Sequence, residues 1–196
     1  MSDNSTSKPK LNALVLLGGK STRMGMDKSQ LVYYNQPQWK HLVSFLKPLV
    51  HKVYLAVRKD QIIDYPDTIE DKIAGLGPFG AIYSALEKYP KEAFLVLAVD
   101  VPRLDSDAIQ KLILARDTTQ DATAFKAESK DYPEPLVCIW EPSAFAMLQS
   151  FKKQENYRPI QVLKQLAVKT LSISDDTLQN VNTFQEYQAI KKSKQE

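Results

Sequence analysis

Two stretches of the chain are apolar without relief, Ala13-Leu14-Val15-Leu16-Leu17 and Phe94-Leu95-Val96-Leu97-Ala98-Val99. A strand with one wet face alternates apolar and polar residues. Runs without alternation belong instead to strands covered on both faces, as in a parallel sheet flanked by helices. Each run stops abruptly, the first at Gly18-Gly19 and the second at Asp100 and Pro102. Elsewhere the apolar spacing is helical. Residues 39–50 carry Leu42, Val43, Phe45, Leu46 and Leu49, residues 79–89 turn Ile82, Ala85 and Leu86 inward, and residues 106–115 align Ile109, Leu112 and Ile113. Further strands are predicted over 52–57, 68–70, 136–140 and 168–173, and helices over 143–151, 158–166 and 184–191. Alternating strands and helices joined by short connections predict an α/β fold. It is a three-layer, Rossmann-like single domain around a mainly parallel, mixed sheet. The domain is expected over residues 11–190, between a disordered tail at 1–10 and a Lys-rich tail at 191–196. Ligands of such sheets bind beyond the carboxyl ends of the strands, which singles out residues 18–28, 71–80, 100–103 and 180–183.

Composition excludes several classes of function. A net charge of +3, with 26 basic and 23 acidic residues interspersed, gives no broad field for nucleic acid. No segment approaches the roughly 18 apolar residues of a membrane span, and the polar start MSDNSTSKPK has no signal-peptide pattern. The single cysteine, Cys138, cannot form an internal disulfide and lies in the apolar run Leu136–Trp140, so it reads as a buried thiol. A cytoplasmic protein is expected, with no nucleic-acid or membrane partner.

Two nucleotide motifs are imitated. Gly19-Lys20-Ser21 resembles the tail of a P-loop, but the first glycine of that motif would fall on Leu14, inside a strand. Gly75-Leu76-Gly77-Pro78-Phe79-Gly80 matches the dinucleotide fingerprint, and Asp100 follows at a suitable distance. The strand before it, Thr68-Ile69-Glu70, is short and polar, and Pro78 suits the first turn of a helix. A nicotinamide-dependent (NAD(P)-binding) oxidoreductase remains the competing reading from this motif.

The loop after the first strand meets the needs of a triphosphate. Gly18, Gly19 and Gly25 permit backbone N–H groups to face phosphates, and Arg23 and Lys28 supply a planar fork and a mobile point charge. The bland reading is a solvated basic loop. Asp100, ending an apolar strand, suits Mg²⁺, which takes one or two carboxylates plus phosphate oxygens; otherwise it would cap the helix starting near Ser106. His41 and His51 fall on or beside a helix away from the strand ends and read as structural.

Residues 16–28, Leu-Leu-Gly-Gly-Lys-Ser-Thr-Arg-Met-Gly-Met-Asp-Lys, closely resemble the signature of nucleotidyltransferases with the sugar-nucleotide pyrophosphorylase-like fold. Within that group they are most similar to the molybdenum cofactor guanylyltransferases, the MobA family. The resemblance continues through Glu70-Asp71, Gly77-Pro78, Ala98-Val99-Asp100-Val101-Pro102, Tyr132–Leu136, Arg158 and Asn180-Val181-Asn182-Thr183, and covers about residues 11–190. It implies transfer of GMP from GTP to molybdenum-molybdopterin with Mg²⁺ as cofactor, releasing pyrophosphate. It further implies a monomer, which cofactor-delivery proteins and molybdoenzymes would serve as partners.

The same resemblance implies roles for particular residues. Arg23, Lys28 and Asp100 would be catalytic, with Asp100 on the metal. Leu16, Leu17, Gly18, Gly19, Lys28, Asp71 and Asp100 would bind nucleotide, the base being read largely by backbone at 16–18. Arg158, Asn180 and Asn182 would meet the pterin substrate, although asparagines before a helix also serve as caps, and Asp71 also reads as a turn carboxylate. The double glycine favours guanine, since the related cytidylyltransferases tend to read Leu-Ala-Ala-Gly. Leu17 replaces a small residue of the family, and the asparagine expected near Leu55 is missing. A cytidylyltransferase or another small-molecule nucleotidyltransferase therefore stays open, as does a GTP-binding module without turnover.

Overall fold

The computed structural model describes residues 8–17, 28–33, 35–71 and 75–193. Arg23, Gly18, Gly19 and Gly25 lie outside them, as does most of the predicted N-terminal tail. One seven-stranded sheet organises the chain. Its strands are β1 (Leu11–Leu16), β2 (Val53–Val57), β3 (Thr68–Glu70), β4 (Ala93–Ala98), β5 (Ala122–Ala127), β6 (Val137–Trp140) and β7 (Val168–Ile173). Their spatial order is β3-β2-β1-β4-β6-β5-β7, and β6 alone runs antiparallel to its neighbours. The helices are α1 (Gln38–Leu46), α2 (Pro78–Lys88), α3 (Ser106–Leu114), α4 (Phe145–Lys153), α5 (Pro159–Leu163) and α6 (Phe184–Ser193).

The unrelieved apolar runs are explained by the layers. In β1, Ala13 and Val15 face a core under α1 and α3, while Leu14 and Leu16 face a second core under α2, α4 and α5. Every residue of β4 is buried, because β1 and β6 flank it and helices cover both of its faces. The two edge strands differ: β3 has three residues and β7 is largely exposed.

Several boundaries depart from expectation for identifiable reasons. The helix predicted over 39–50 closes at Leu46: Lys47 keeps helical dihedrals, but Pro48 has no N–H to continue the i→i−4 ladder, and the Leu49 and Val50 N–H groups both turn back to the Leu46 carbonyl. The helix predicted over 158–166 is regular only over Pro159–Leu163 and tightens into i→i+3 bonds from Gln165 to Val162 and from Leu166 to Leu163. α6 continues through Lys191 and Lys192 into the predicted tail. At the other end Ala93 donates its N–H to the Lys10 carbonyl at 2.9 Å, so the sheet's bonding already includes residue 10. The strand β5, ATAFKA, was not anticipated. Its small alanines carry little apolar signal, yet Ala122 and Ala124 are fully buried in the second core with Trp140.

Candidate active site

The chain order reverses between β1 and β4, which creates a switch point at their carboxyl ends, where open α/β sheets bind ligands. Lys28 and Asp100 meet there. Lys28 opens a short 3₁₀ turn over Lys28–Gln30, and its Nζ donates to Asp100 Oδ2 at 2.9 Å and to Asn182 Oδ1 at 3.0 Å. The lysine is only 8% exposed. A desolvated ammonium needs such partners, since an uncompensated buried charge is costly. Two hard oxygen atoms therefore converge on one cation, a donor set that also suits a small divalent ion. Among the described residues no group of three or more His, Cys, Asp and Glu is spaced to hold a metal.

Local structure explains why these side chains are available. Asp100 does not cap α3: Asp105 does, accepting from the Ala108 N–H at 2.8 Å. Nor do the asparagines cap α6. Thr183 and Glu186 form a capping box, in which Glu186 Oε2 accepts from the N–H groups of Asn182 (2.7 Å) and Thr183 (3.0 Å), and Thr183 Oγ1 accepts from the Glu186 N–H. These backbone bonds hold the Glu186 carboxyl below its usual range, with the Lys28 charge adding to them. With the cap supplied elsewhere, the Asn182 side chain reaches Lys28. Asn180 is exposed and outside this contact.

The C-terminal segment is secured in two ways. The Val181 N–H donates to the Asp100 carbonyl at 2.8 Å. A small separate core of Leu31, Tyr33, Val181, Tyr187 and Ile190 joins α6 to the chain just after Lys28. Tyr33 packs edge-on to Tyr187 with 5.1 Å between centroids, and Tyr187 Oη donates to the Val32 carbonyl at 3.0 Å. The Tyr33 phenol is pushed well above its ordinary value, first by burial and then by the charges of Tyr187 and Asp100.

On the β1–β3 side of this pair lies a cleft of about 800 Å³. Leu16 and Leu17 line it, as do Ala56, the turn Arg58–Gln61, Asp71 and Pro78. Leu17 is 1% exposed and belongs to the core under α1 and α3, so it stands in the cleft wall rather than across its opening. Asp71 follows β3 and packs against the first turn of α2. A Cβ on Gly80 would lie 2.5 Å from both Asp71 carboxylate oxygens, so a larger residue there would push that carboxylate aside. Gly77 precedes Pro78 at φ 57°, a left-handed conformation that glycine adopts without strain. The glycines that imitate a dinucleotide fingerprint thus serve a helix start and a carboxylate contact after an edge strand.

Sequence reasoning missed Glu134. The antiparallel register pairs Leu97 with Val137, and continuing it brings Glu134 opposite Asp100. Burial raises the Glu134 carboxyl above its ordinary value, although the Leu136 N–H and Lys130 oppose that shift and the Asp100 charge adds to it. The orientation of β6 was the signal required, and a single sequence does not carry it. Arg158 stands apart from the cluster, exposed where α5 begins, next to Tyr157, whose ring contacts Phe79 at 5.6 Å. His51 lies at the opposite end of the sheet, where its N–H donates to the Leu11 carbonyl. Cys138 is fully buried in β6.

This strand order, with a lysine–aspartate pair at the switch point beside a nucleoside-sized cleft, is the architecture of a nucleotidyltransferase. Comparison with known proteins agrees: residues 13–169 match the MobA-like NTP transferase domain, and the chain belongs to that family. A molybdenum cofactor biosynthesis bifunctional protein of Synechocystis is 32% identical over 186 residues, covering 90% of this chain. This chain spans only 52% of that relative's length. A probable molybdenum cofactor guanylyltransferase of Flavobacterium johnsoniae is 26% identical, covering 90% of this chain and 94% of its own. In fold, the chain is similar to molybdopterin-guanine dinucleotide biosynthesis protein A of Archaeoglobus fulgidus. That structure has a TM-score of 0.77 and 21% identity, covering 93% of this chain and 97% of that one.

Proposed function

We propose that the protein transfers GMP from GTP to the terminal phosphate of molybdenum-molybdopterin, forming the guanine dinucleotide cofactor and pyrophosphate. The observation that carries this reading is the convergence of Lys28, Asp100 and Asn182 beside the cleft at the β1/β4 switch point. The nucleoside would occupy the cleft, and the triphosphate would extend toward Lys28, with Arg23 and the backbone of Gly18 and Gly19 completing its cradle. An oxygen of the acceptor phosphate forms the new bond to the α-phosphorus as the α–β bridging bond breaks and its electron pair leaves with pyrophosphate. That oxygen is already anionic, so no general base is required. Positioning and charge stabilisation remain, and Lys28 supplies both.

Mg²⁺, when bound, would be held by Asp100 with triphosphate oxygens and would offset the negative charge on them. Asn182 would then hold Lys28 or a substrate oxygen, and Asp71 would accept hydrogen bonds from the nucleotide. Arg158 and Asn180 would meet the pterin at the rim. A cytoplasmic monomer that exchanges pterin with delivery proteins and molybdoenzymes fits this role.

Equilibrium binding of GTP and CTP, each with and without Mg²⁺, tests the reading. GTP binding should strengthen with Mg²⁺ and weaken in Lys28→Ala by about 10- to 100-fold, the loss of one charge-assisted contact. Tighter binding of CTP would keep the chemistry and change the product to the cytosine form. Binding of neither nucleotide would overturn the proposal.

A further inference from the structure

The cleft has apolar walls that suit a planar base but need a polar group to select one. Leu16, Ala56, Val57, Pro78 and Ala81 provide the walls. The selecting group must lie where the base edge arrives, and among the described residues two carboxylates border the cleft. The Asp71 carboxylate lies against Gly80 at the first turn of α2. Asp60 stands further out: its side chain is 63% exposed on the turn that follows β2. That turn is closed at both ends. The Gln61 N–H donates to the Arg58 carbonyl at 3.0 Å, and the Arg58 N–H donates to Gln61 Oε1 at 3.4 Å. Arg58 Nε in turn donates to Asp60 Oδ1 at 3.3 Å. A carboxylate and a guanidinium are therefore held side by side at the mouth of the cleft.

We infer that Asp60 is the guanine-selecting residue, its carboxylate accepting from N1–H and the exocyclic N2 amine while the Arg58 guanidinium faces O6. This inference rests on the proposed guanylyl transfer and deepens it. The chemistry is specific. Guanine presents two adjacent N–H donors on its pairing edge, and an ionised carboxylate is an acceptor with two oxygens to match them. Cytosine presents N3 and O2 as acceptors there, so a carboxylate opposite them repels rather than binds. The same turn accounts for the missing asparagine near Leu55, because the polar reading group would come from three residues beyond the end of β2.

The test compares GTP with inosine triphosphate, which differs only in lacking the N2 amine. Binding of each, and of CTP, is measured with Mg²⁺ for the wild type, Asp60→Ala and Asp60→Asn. The wild type should favour GTP over inosine triphosphate by about 10-fold or more, the value of one charge-assisted hydrogen bond. Asp60→Ala should bring the two affinities within about twofold and leave CTP binding unchanged or stronger. Asp60→Asn, which keeps shape and removes charge, should fall between them. An unchanged GTP preference in Asp60→Ala would overturn the assignment while leaving guanylyl transfer intact. Absence of Mg²⁺-dependent GTP binding in the wild type would overturn both.

Discussion

Two ion pairs mark opposite ends of the sheet. At the carboxyl end of β4, Lys28 meets Asp100 through one contact of 2.9 Å and shares its remaining donors with Asn182. At the amino end, just past β6, Arg116 grips Glu141 through two contacts, Nε to Oε1 at 2.6 Å and Nη2 to Oε2 at 2.9 Å. Glu141 is 2% exposed, whereas 22% of the Asp100 side chain remains accessible. The arginine fork fits its carboxylate in a fixed plane and is fully committed. The lysine is a point charge on a flexible stem, which can exchange one oxygen partner for another. The same attraction is thus used in two ways: the forked pair joins α3 to the sheet, while the single-contact pair leaves a cation and a carboxylate within reach of a ligand.

Mutations should separate the two pairs, and the largest effect is expected at the structural one. Arg116→Ala leaves Glu141 buried without its partner and should cost about 3–5 kcal/mol in urea unfolding, with turnover per folded molecule unchanged. A loss below about 1 kcal/mol would place that pair in the same exchangeable category as Lys28–Asp100. Asp100→Asn should do the reverse. Turnover should fall more than about 100-fold, some 2.7 kcal/mol, while the loss of stability stays below that of Arg116→Ala, because the amide oxygen and Asn182 can still accept from Lys28. Near-normal turnover in that variant would remove Asp100 from the mechanism.

Smaller effects sharpen the contrast. Thr183→Ala breaks the capping box that frees Asn182, so thermal melting should report a loss of about 1 kcal/mol. If turnover also falls, the cap serves the site as well as the helix. Glu134→Gln probes the carboxylate opposite Asp100 through pH. Burial raises the native-state carboxyl above its unfolded value, so its relative stabilisation is complete below the unfolded value and is lost as pH rises through the native one. The wild type should therefore lose stability relative to Glu134→Gln as pH rises above the ordinary glutamate range, as read from urea midpoints. A difference that is flat with pH would mean that Glu134 is already ionised at no cost.

Much of the molecule was legible in the chain. β1 and β4 announced themselves as unrelieved apolar runs, and Lys28 and Asp100 stood where such runs stop. Other elements gave weaker signals. The alanines of β5 are poor strand formers by composition, and only their place in the sheet, between β6 and β7, buries them. Asn182 looked equally like a cap, because asparagine favours that position for purely local reasons. The Thr183–Glu186 box was present in the sequence as the pattern S/T-x-x-E, but its consequence, a free amide aimed at Lys28, required the fold.

By itself the sequence determined which segments are covered on both faces, where they stop and which cations follow the first of them, because burial and turn chemistry act over a few neighbouring residues. Tertiary structure alone decided which charges meet. Lys28 and Asp100 lie 72 positions apart, and Lys28 and Asn182 lie 154 apart. The antiparallel course of β6 and the small core under α6 bring Glu134 and Asn182 to the same end of the sheet. Strand order and direction are properties of the packed whole, so the side chains they unite carry no local mark of one another.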